Sequence, residues 1–159
     1  MIAAADAADL PALAALLAGS ALLQRYRVTL DSALQSLKTA QEAGDLLLVS
    51  RHHAAITGLA WLSFAPRVLN AAAYLRLLLV AESARNTGTG SELLAAAEIR
   101  ARERANHLYL LVTTDNTAAR RFYQRHGYRH VGDLPGFVWP DLDEALYHKT
   151  LRPHADRLG

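Results

Sequence analysis

The sequence predicts one α/β domain built around a mixed β-sheet, and three observations support this prediction. The chain has 159 residues, which suits a single core, and 52% of them are hydrophobic, which is ample apolar material for that core. Over residues 71–113, an apolar strand, an amphipathic helix and a second apolar strand follow one another. Extended segments that suit antiparallel pairing flank this unit on both sides, so the sheet combines both pairing directions.

The first half of the chain combines two helix signals with two later strands. Asp9 and Pro11 form a favourable helix start, as N-cap and first-turn residue. Gly44 follows a second helical stretch and ends it, and a polar connection separates the two helices. The predicted elements are a helix that starts at Asp9, a helix over residues 30–43, a connection over residues 24–27, and strands over residues 46–49 and 56–64.

The second half alternates strands with helices and closes on two strands. Residues 71–80 are apolar with little alternation, which is typical of a strand buried on both faces. Gly127 ends the last helix, and a loop over residues 135–140 joins the last two strands. The predicted elements are strands over residues 71–80, 107–113, 128–134 and 145–151, and helices over residues 91–105 and 116–125. With an extended N-terminus, the chain then has about seven strands and four helices.

Composition and charge exclude several classes of protein. Cysteine is absent, which excludes a disulfide scaffold, a thiolate zinc site and a cysteine nucleophile. The net charge is +2, and the arginines suit solvated helix faces, so we expect no nucleic-acid partner. No signal peptide or membrane span is apparent, so we expect no membrane association and a cytoplasmic location. We expect no metal, because the pair His52 and His53 lacks a third ligand.

The segment between residues 80 and 91 predicts a receptor for a phosphate group. A buried strand ends, a glycine-containing loop follows, and a helix begins at once. Gly88 and Gly90 let the backbone turn tightly and expose successive N–H groups at the positive end of the helix. Arg85 supplies a positive charge beside them. An ordinary strand-to-helix turn is the alternative, because neither the P-loop lysine nor a third glycine is present.

Two stretches of the sequence together resemble a known family. The first is Val-x4-Arg-x-x-Gly-x-Gly, from Val80 to Gly90. The second consists of Asn116, Ala118, Ala119, Phe122, Tyr123, His126, Gly127 and Tyr128. In order and spacing they resemble the acyl-CoA-binding motif and the later helix of the GNAT family of N-acetyltransferases. The resemblance implies the GNAT fold, with a mostly antiparallel central sheet of about seven strands flanked by four helices, as a single domain over residues 1–159.

The resemblance implies that acetyl-CoA is the co-substrate, and it assigns contacts to this molecule. The backbone of residues 78–80 would pair with the pantetheine arm like an extra strand, and Asn116 would contact the pantetheine side. The backbone amides of residues 85–90 would hold the pyrophosphate, helped by the side chains of Arg85 and Thr89. The implied acetyl-CoA contacts are Leu78, Leu79, Val80, Arg85, Asn86, Thr87, Gly88, Thr89, Gly90, Ser91, Asn116, Ala119 and Tyr123.

Tyr123 is the catalytic residue that the resemblance implies. A tyrosine hydroxyl near the thioester sulfur can donate a proton to the departing thiolate. Adjacent residues of a helix cannot both face the core squarely. We therefore expect Phe122 to lie in the core and Tyr123 to face the site.

The general base has no single candidate in the sequence. Several family members carry a glutamate in the strand before the loop, and Tyr74 occupies that position here. The role of that glutamate therefore has no direct counterpart. The open alternatives are Glu82, Asp115, Asp133, water, or an amine that is already neutral when it binds.

We expect an N-acetyltransferase that moves the acetyl group of acetyl-CoA directly to a primary amine in a ternary complex. The expected acceptor is a small molecule. The alternatives are a protein N-terminus or lysine as acceptor, and a non-catalytic acyl-CoA-binding sensor. The resemblance also allows a homodimer. Candidate acceptor contacts are Tyr26, Tyr74 and Trp139, with Trp61 and Phe137 as further aromatic candidates, although aromatic residues in a core need no function.

Overall fold

The structure is a computed structural model that describes residues 1–66 and 68–152. Its contacts divide the chain into two compact units. Unit 1 comprises Met1–Ser63 and Arg76–Ile99, and unit 2 comprises Phe64–Leu75 and Arg100–Gly159. The boundary falls within the strand Ala73–Val80, which therefore contributes residues to both units.

The strands form one seven-stranded sheet. They are β1 (Ile2–Ala4), β2 (Leu46–His52), β3 (Ala55–Phe64), β4 (Ala73–Val80), β5 (His107–Thr113), β6 (Arg129–Trp139) and β7 (Leu142–Thr150). Their order across the sheet is β1-β2-β3-β4-β5-β7-β6. β4 and β5 pair in parallel, whereas β1–β2, β2–β3, β5–β7 and β6–β7 pair antiparallel. The predicted mixed, mostly antiparallel sheet of about seven strands is confirmed.

The described residues contain five α-helices, one more than the four predicted. They are α1 (Leu10–Ala18), α2 (Ala21–Arg25), α3 (Leu30–Glu42), α4 (Thr89–Arg102) and α5 (Thr117–Arg125). The additional helix is α2, which overlaps the stretch predicted as a polar connection. The Ser20 side chain caps α2 by accepting a hydrogen bond from Leu23 N (3.4 Å). A five-residue helix has fewer than two turns, so hydrophobic periodicity cannot reveal it.

The last two strands are longer than predicted, and the prediction of a loop over residues 135–140 is wrong. β6 runs as far as Trp139, and β7 starts after a tight turn. Pro135 and Gly136 lie inside β6, at a place where its register with β7 shifts. Gly136 has a φ of +58°, and its backbone N–H donates to Asp143 Oδ1 (2.9 Å). β6 therefore contains an irregular stretch. The proline and glycine in this stretch are residue types typical of a loop.

Unit 1 has its core between the first helices and one face of the sheet. Leu13 of α1, Leu37 of α3 and Leu59 of β3 are buried in one apolar cluster, which also includes Val49 and Trp61. Alternate residues of β2 and β3 supply this face, because successive side chains of a strand point to opposite sides. The helices before β2 therefore cover the same side of unit 1.

In unit 2, side-chain hydrogen bonds join α5 to β7. Arg120 Nε donates to the hydroxyl of Tyr147 (3.0 Å), which is fully buried in β7. Lys149 Nζ donates to His126 O (2.8 Å), just after α5. These hydrogen bonds attach α5 to β7 near both ends of the helix. Among the helices of the described residues, none is long and apolar enough to cross a membrane.

Candidate active site

The predicted transition from strand to loop to helix is present in unit 1. β4 ends at Val80, and the N–H of Ala81 donates to Thr57 O (2.8 Å), which ties the end of β4 to β3. A single 3-10 turn, Glu82–Ala84, follows. Residues 85–90, the 85–90 loop, then lead from this turn into the first turn of α4.

The 85–90 loop presents backbone N–H groups. Asn86 and Gly88 have φ angles of +61° and +89°, a local geometry in which successive N–H groups can form an anion-binding concavity. In the described part of the chain, the N–H groups of Asn86, Thr87 and Gly88 have no hydrogen-bond acceptor. The N–H groups of Thr89 and Gly90 belong to the first turn of α4, where no intrahelical acceptor exists. Together these groups can bind an anion such as a phosphate.

The side chains of the loop hold its backbone and leave space beside it. Thr87 Oγ1 donates to Ala84 O (2.7 Å) and lies 2.9 Å from Thr89 Oγ1. A Cβ atom added to Gly88 would meet no atom within 4 Å, so the space beside this backbone is open. Arg85 is exposed, and its guanidinium is accessible to an anion at the loop.

Gly58 of β3 allows the close packing behind the loop, which sequence analysis did not identify. A Cβ atom at Gly58 would lie 2.7 Å from Leu93 Cδ1 and 3.0 Å from Leu79 O. It would also lie 3.6 Å from Thr89 Cγ2, in the first turn of α4. Gly58 therefore lets the end of β4 and the start of α4 approach β3.

The residues predicted to contact pantetheine lie in the last part of β4, in unit 1. Leu79 is buried, and Leu78 and Val80 are half-buried. Within the described residues, the register of β4 with β5 ends at Leu75. The pairing with β5 therefore does not use the backbone groups of these three residues.

Asn116 lies in unit 2, where it caps α5. Its Oδ1 accepts a hydrogen bond from Ala119 N (3.1 Å), which satisfies one of the free N–H groups at the start of the helix. Over residues 1–66 and 68–152, the side-chain NH2 group of Asn116 has no acceptor, so it is able to donate to a ligand. Ala119 is half-buried in the first turn of α5.

Tyr123 is the more buried member of the aromatic pair in α5. It is 8% exposed, whereas Phe122 is half-buried and lies against His126, with ring centroids 4.3 Å apart. The prediction that Phe122 is the core residue of the pair is wrong, because α5 turns Tyr123 inward, edge-on to Tyr128. Burial raises the pKa of the Tyr123 hydroxyl. In the described residues this hydroxyl has no hydrogen-bond partner.

The three carboxylates considered as general base are all exposed. They are Glu82 in unit 1, and Asp115 and Asp133 in unit 2. Asp133 Oδ1 lies 2.8 Å from His130 Nε2. Over residues 1–66 and 68–152 the buried carboxylates are Asp9, which pairs with Arg51, Glu98 of α4, and Glu144 of β7, which is 2% exposed. Glu144 lies one residue before the predicted strand over residues 145–151 and belongs to β7 because this strand starts earlier, at Leu142. Its burial depends on tertiary packing.

The aromatic candidates for the acceptor are divided between the two units. Tyr26 is the C-cap of α2 in unit 1, whereas Tyr74 and Trp139 belong to unit 2. All three are half-buried. Trp61 is almost completely buried in unit 1, and Phe137 is exposed in unit 2.

Sequence comparison relates this chain to one family. The sequence model of the acetyltransferase (GNAT) family matches residues 18–128, a range that includes the 85–90 loop and α5. A blasticidin-S acetyltransferase from Streptomyces morookaense is 42% identical over 75 residues, which are 47% of this chain and 54% of that protein. The chain therefore spans about half the length of the curated relative that it matches.

Solved structures share the fold over nearly the whole chain. A ribosomal-protein-alanine N-acetyltransferase from Brucella melitensis superposes with a TM-score of 0.79 and 24% identity, over 94% of this chain and 99% of the other. An aminoglycoside 6'-N-acetyltransferase complexed with coenzyme A superposes with a TM-score of 0.79 and 19% identity, over 98% and 99% of the two chains. At these identities the similarity concerns the fold.

Proposed function

The chain belongs to the GNAT family of acetyltransferases, and we propose that it transfers the acetyl group of acetyl-CoA directly to a primary amine of a small molecule. In this reaction a neutral amine attacks the thioester carbonyl. The carbon–sulfur bond breaks, and CoA leaves as a thiolate that takes up a proton. The amine nitrogen loses a proton to a base or to water. No covalent acyl-enzyme is needed, and the chain has no cysteine to form one.

The geometry of the 85–90 loop is the observation that carries this proposal. Within residues 1–66 and 68–152, backbone N–H groups at the N-terminus of α4 have no acceptor, and the space beside Gly88 is open. Such a site suits a diphosphate, because helix N-termini and successive backbone N–H groups both favour negative charge. We assign the pyrophosphate of acetyl-CoA to these groups, with Arg85 as a further contact.

The end of β4 suits the pantetheine arm. This arm contains amide groups that can pair with an extended backbone as a short strand does. The backbone of residues 78–80 is available on the side where β4 would otherwise continue to pair with β5. A backbone N–H at this position can also stabilise the negative charge that develops on the thioester oxygen.

We assign the role of general acid to Tyr123. Because burial raises its pKa, the hydroxyl stays protonated at neutral pH and is able to donate to the departing thiolate. Its lack of a hydrogen-bond partner in the described residues leaves the proton available. Because a raised pKa makes the hydroxyl a weaker acid, Tyr123 assists by donating a hydrogen bond to the departing thiolate, and the thiolate takes up its proton from solvent.

The removal of the amine proton is assigned to water. Glu82, Asp115 and Asp133 are all exposed, so water surrounds each of them and can accept the proton in their place. When an amine binds in its neutral form, its nitrogen becomes positively charged on attack. The nitrogen is then strongly acidic and loses one of its two protons. Solvent is a sufficient acceptor at that stage.

The small-molecule acceptor is supported by the relative with the higher identity. That protein is named for blasticidin S, a small molecule, and it is 42% identical over the matched residues. The structural neighbours include one enzyme named for a ribosomal protein and one named for aminoglycosides, so the fold alone favours neither class. We therefore place peptide amines second.

The experiment that tests this function measures CoA release from acetyl-CoA with a panel of small amines and a panel of peptides. We expect release above the amine-free background with at least one small amine and a slower rate with every peptide. Faster release with a peptide would contradict the choice of acceptor. Binding of acetyl-CoA without release under any condition would identify an acyl-CoA-binding sensor and contradict the enzymatic proposal.

A further inference from the structure

A cavity of about 210 Å³, open to solvent and lined mostly by exposed residues that include Arg76, lies in unit 1 between α3 and the sheet. Its polar wall consists of Gln35, Ser36, Thr39, Asp45, Trp61 and Arg76. The amide and hydroxyl groups come from the middle of α3, and the charged groups come from the residue before β2 and from β4. A cavity with one cation, one anion and several neutral polar groups suits a small polar ligand better than an apolar one.

The carboxylate in this cavity is held in a fixed position. Asp45 Oδ2 accepts hydrogen bonds from Trp61 Nε1 and from Ser63 Oγ, both at 2.7 Å. Trp61 is 4% exposed, so its indole N–H needs an acceptor inside the protein. Both donors bind the same oxygen of Asp45. The carboxylate therefore presents a fixed negative charge to the cavity rather than a mobile one.

The guanidinium of Arg76 is held by an aromatic ring rather than by an acid. Its carbon lies 4.8 Å from the centroid of the Trp61 ring, a cation–π contact. Over residues 1–66 and 68–152, Arg76 forms no hydrogen bond or ion pair. With this ring contact and no hydrogen bond to the described residues, the N–H groups of the guanidinium are available to a ligand. These groups match a carboxylate, with two parallel hydrogen bonds.

Arg76 also lies close to the strand segment that we assign to acetyl-CoA. It precedes Leu78 by two residues on β4, which is about 7 Å along a strand. Both residues belong to unit 1. A molecule of amino-acid size anchored on Arg76 could therefore extend along the same strand toward the thioester.

We propose that this cavity binds the acceptor by a carboxylate group on Arg76, so that the acceptor is a primary amine of the amino-acid type. This inference rests on the proposed acetyltransferase function and names its substrate class. The fixed charge of Asp45 disfavours a second carboxylate on the same molecule, because like charges in one cavity repel. A monocarboxylate is therefore preferred over a dicarboxylate. It is also preferred over a polycation, because the positive charge of Arg76 repels a polycation.

The test compares amines that differ only by a carboxylate: histidine with histamine, lysine with cadaverine, and phenylalanine with phenethylamine. Because Arg76 is exposed, we expect kcat/KM to be about 5-fold higher for the preferred amino acid than for its decarboxylated partner, the upper value for a solvent-screened ion pair. Glutamine and glutamate form a second comparison, in which glutamine is preferred. Equal or higher values for every decarboxylated amine would overturn the proposal.

Variants of Arg76 separate recognition from amine reactivity. A substrate without the carboxylate also has a different fraction of its amine in the neutral form. Arg76→Met changes the protein and leaves that fraction of each substrate unchanged. The carboxylate preference should therefore fall to near one in Arg76→Met and persist in part in Arg76→Lys, as in a double-mutant cycle. Arg102→Met, an exposed arginine of α4, is the matched control and should retain the full preference. A preference that survives Arg76→Met would overturn the proposal.

Calorimetry keeps the two proposals distinguishable. Acetyl-CoA is titrated into the protein first, and the same amino acids and amines are then titrated into the protein saturated with CoA. Failure of acetyl-CoA to bind would contradict the proposed function. Binding of acetyl-CoA combined with no binding of any carboxylate-bearing amine would leave that function intact and overturn the inference about Arg76.

Discussion

The 85–90 loop of unit 1 presents backbone N–H groups on mostly exposed residues, whereas α5 of unit 2 presents a single buried hydroxyl. In the loop, the side chains of Thr87 and Thr89 contact each other and the backbone, and a Cβ on Gly88 would meet no atom. In α5, Tyr123 is packed between aromatic rings, and the cap at Asn116 fixes the start of the helix.

This difference predicts two kinds of sensitivity to mutation. Backbone donors bind their ligand whatever side chains surround them, so the loop should tolerate polar substitutions and respond to added volume. The contribution of Tyr123 depends on one oxygen atom, so removal of that atom should change the rate and leave cofactor binding unchanged. The predictions that follow test this contrast between a binding loop and a reacting side chain.

The largest effect should come from filling the open space at Gly88. We expect Gly88→Trp to weaken acetyl-CoA binding by about 100-fold or more, equivalent to about 2.7 kcal/mol, because the indole would occupy the position of the pyrophosphate. Isothermal titration calorimetry measures this affinity.

Gly44 offers a matched control for this substitution. It also has a positive φ, +77°, and no atom of the described residues within 4 Å of an added Cβ, but it lies after α3, outside the 85–90 loop that we assign to acetyl-CoA. Gly44→Trp and Gly88→Trp should therefore each lose about 1–2 kcal/mol in the free energy of unfolding through backbone strain at positive φ. Equal affinity for acetyl-CoA in the two variants would show that the loop is misassigned.

The next effect should come from the hydroxyl of Tyr123. We expect Tyr123→Phe to lower kcat by about 100-fold, the typical contribution of a general acid, with an unchanged dissociation constant for acetyl-CoA. Steady-state CoA release and calorimetry provide the two values. Tyr128→Phe removes a hydroxyl from the adjacent buried ring and should leave kcat near wild type. An unchanged kcat in Tyr123→Phe would remove this residue from the mechanism.

A third prediction concerns the packing that supports the loop. Gly58→Ala places a methyl group 2.7 Å from Leu93 Cδ1 and 3.0 Å from Leu79 O, so we expect a loss of about 1–3 kcal/mol in the free energy of unfolding. Acetyl-CoA affinity should fall a few-fold, because the start of α4 must shift. Gly132→Ala, where an added Cβ meets nothing, should be close to neutral in urea denaturation. Wild-type stability in Gly58→Ala would contradict the packing argument.

The smallest effect concerns pH and lies in unit 2. Burial and the neighbouring His107, at 3.0 Å, lower the pKa of His148. The unfolded chain then binds more protons than the folded chain below about pH 6.5, so this contribution to stability is present above that pH and is lost as the pH falls.

We therefore expect His148→Gln to reduce the drop in melting temperature between about pH 7.5 and about pH 5.5. The exposed His52, replaced by glutamine in the same way, is the control and should leave the pH dependence unchanged. Thermal unfolding at a series of pH values measures both. An identical pH dependence in His148→Gln and the wild type would exclude this histidine as a source of acid sensitivity.

The sequence predicts the elements that carry strong local signals. The apolar run of β4, the glycines of the 85–90 loop and the polar start of α5 define their own boundaries, because turns and caps require particular residue types. α2 escapes this reasoning because its five residues are too few for a periodic pattern. The loop expected at Pro135 and Gly136 is instead an irregular stretch of β6, since pairing with β7 continues on both sides of it.

Other features depend on contacts between distant parts of the chain, which no local pattern reveals. Whether Phe122 or Tyr123 faces the core depends on how α5 is rotated against its neighbours. The role of Gly58 depends on Leu93, which lies in a different element. The hydrogen bond from Trp61 to Asp45, and the position of Arg76 over that ring, likewise arise only from tertiary packing.

Thermal unfolding with and without acetyl-CoA, with adenosine as the control ligand, tests whether the 85–90 loop binds the pyrophosphate of acetyl-CoA. At about 100 times its dissociation constant, a ligand adds about 2.7 kcal/mol to the free energy of unfolding. We expect a clear rise in melting temperature with acetyl-CoA, none with adenosine, and none with acetyl-CoA in Gly88→Trp. An unchanged melting temperature of the wild type at millimolar acetyl-CoA would contradict this assignment.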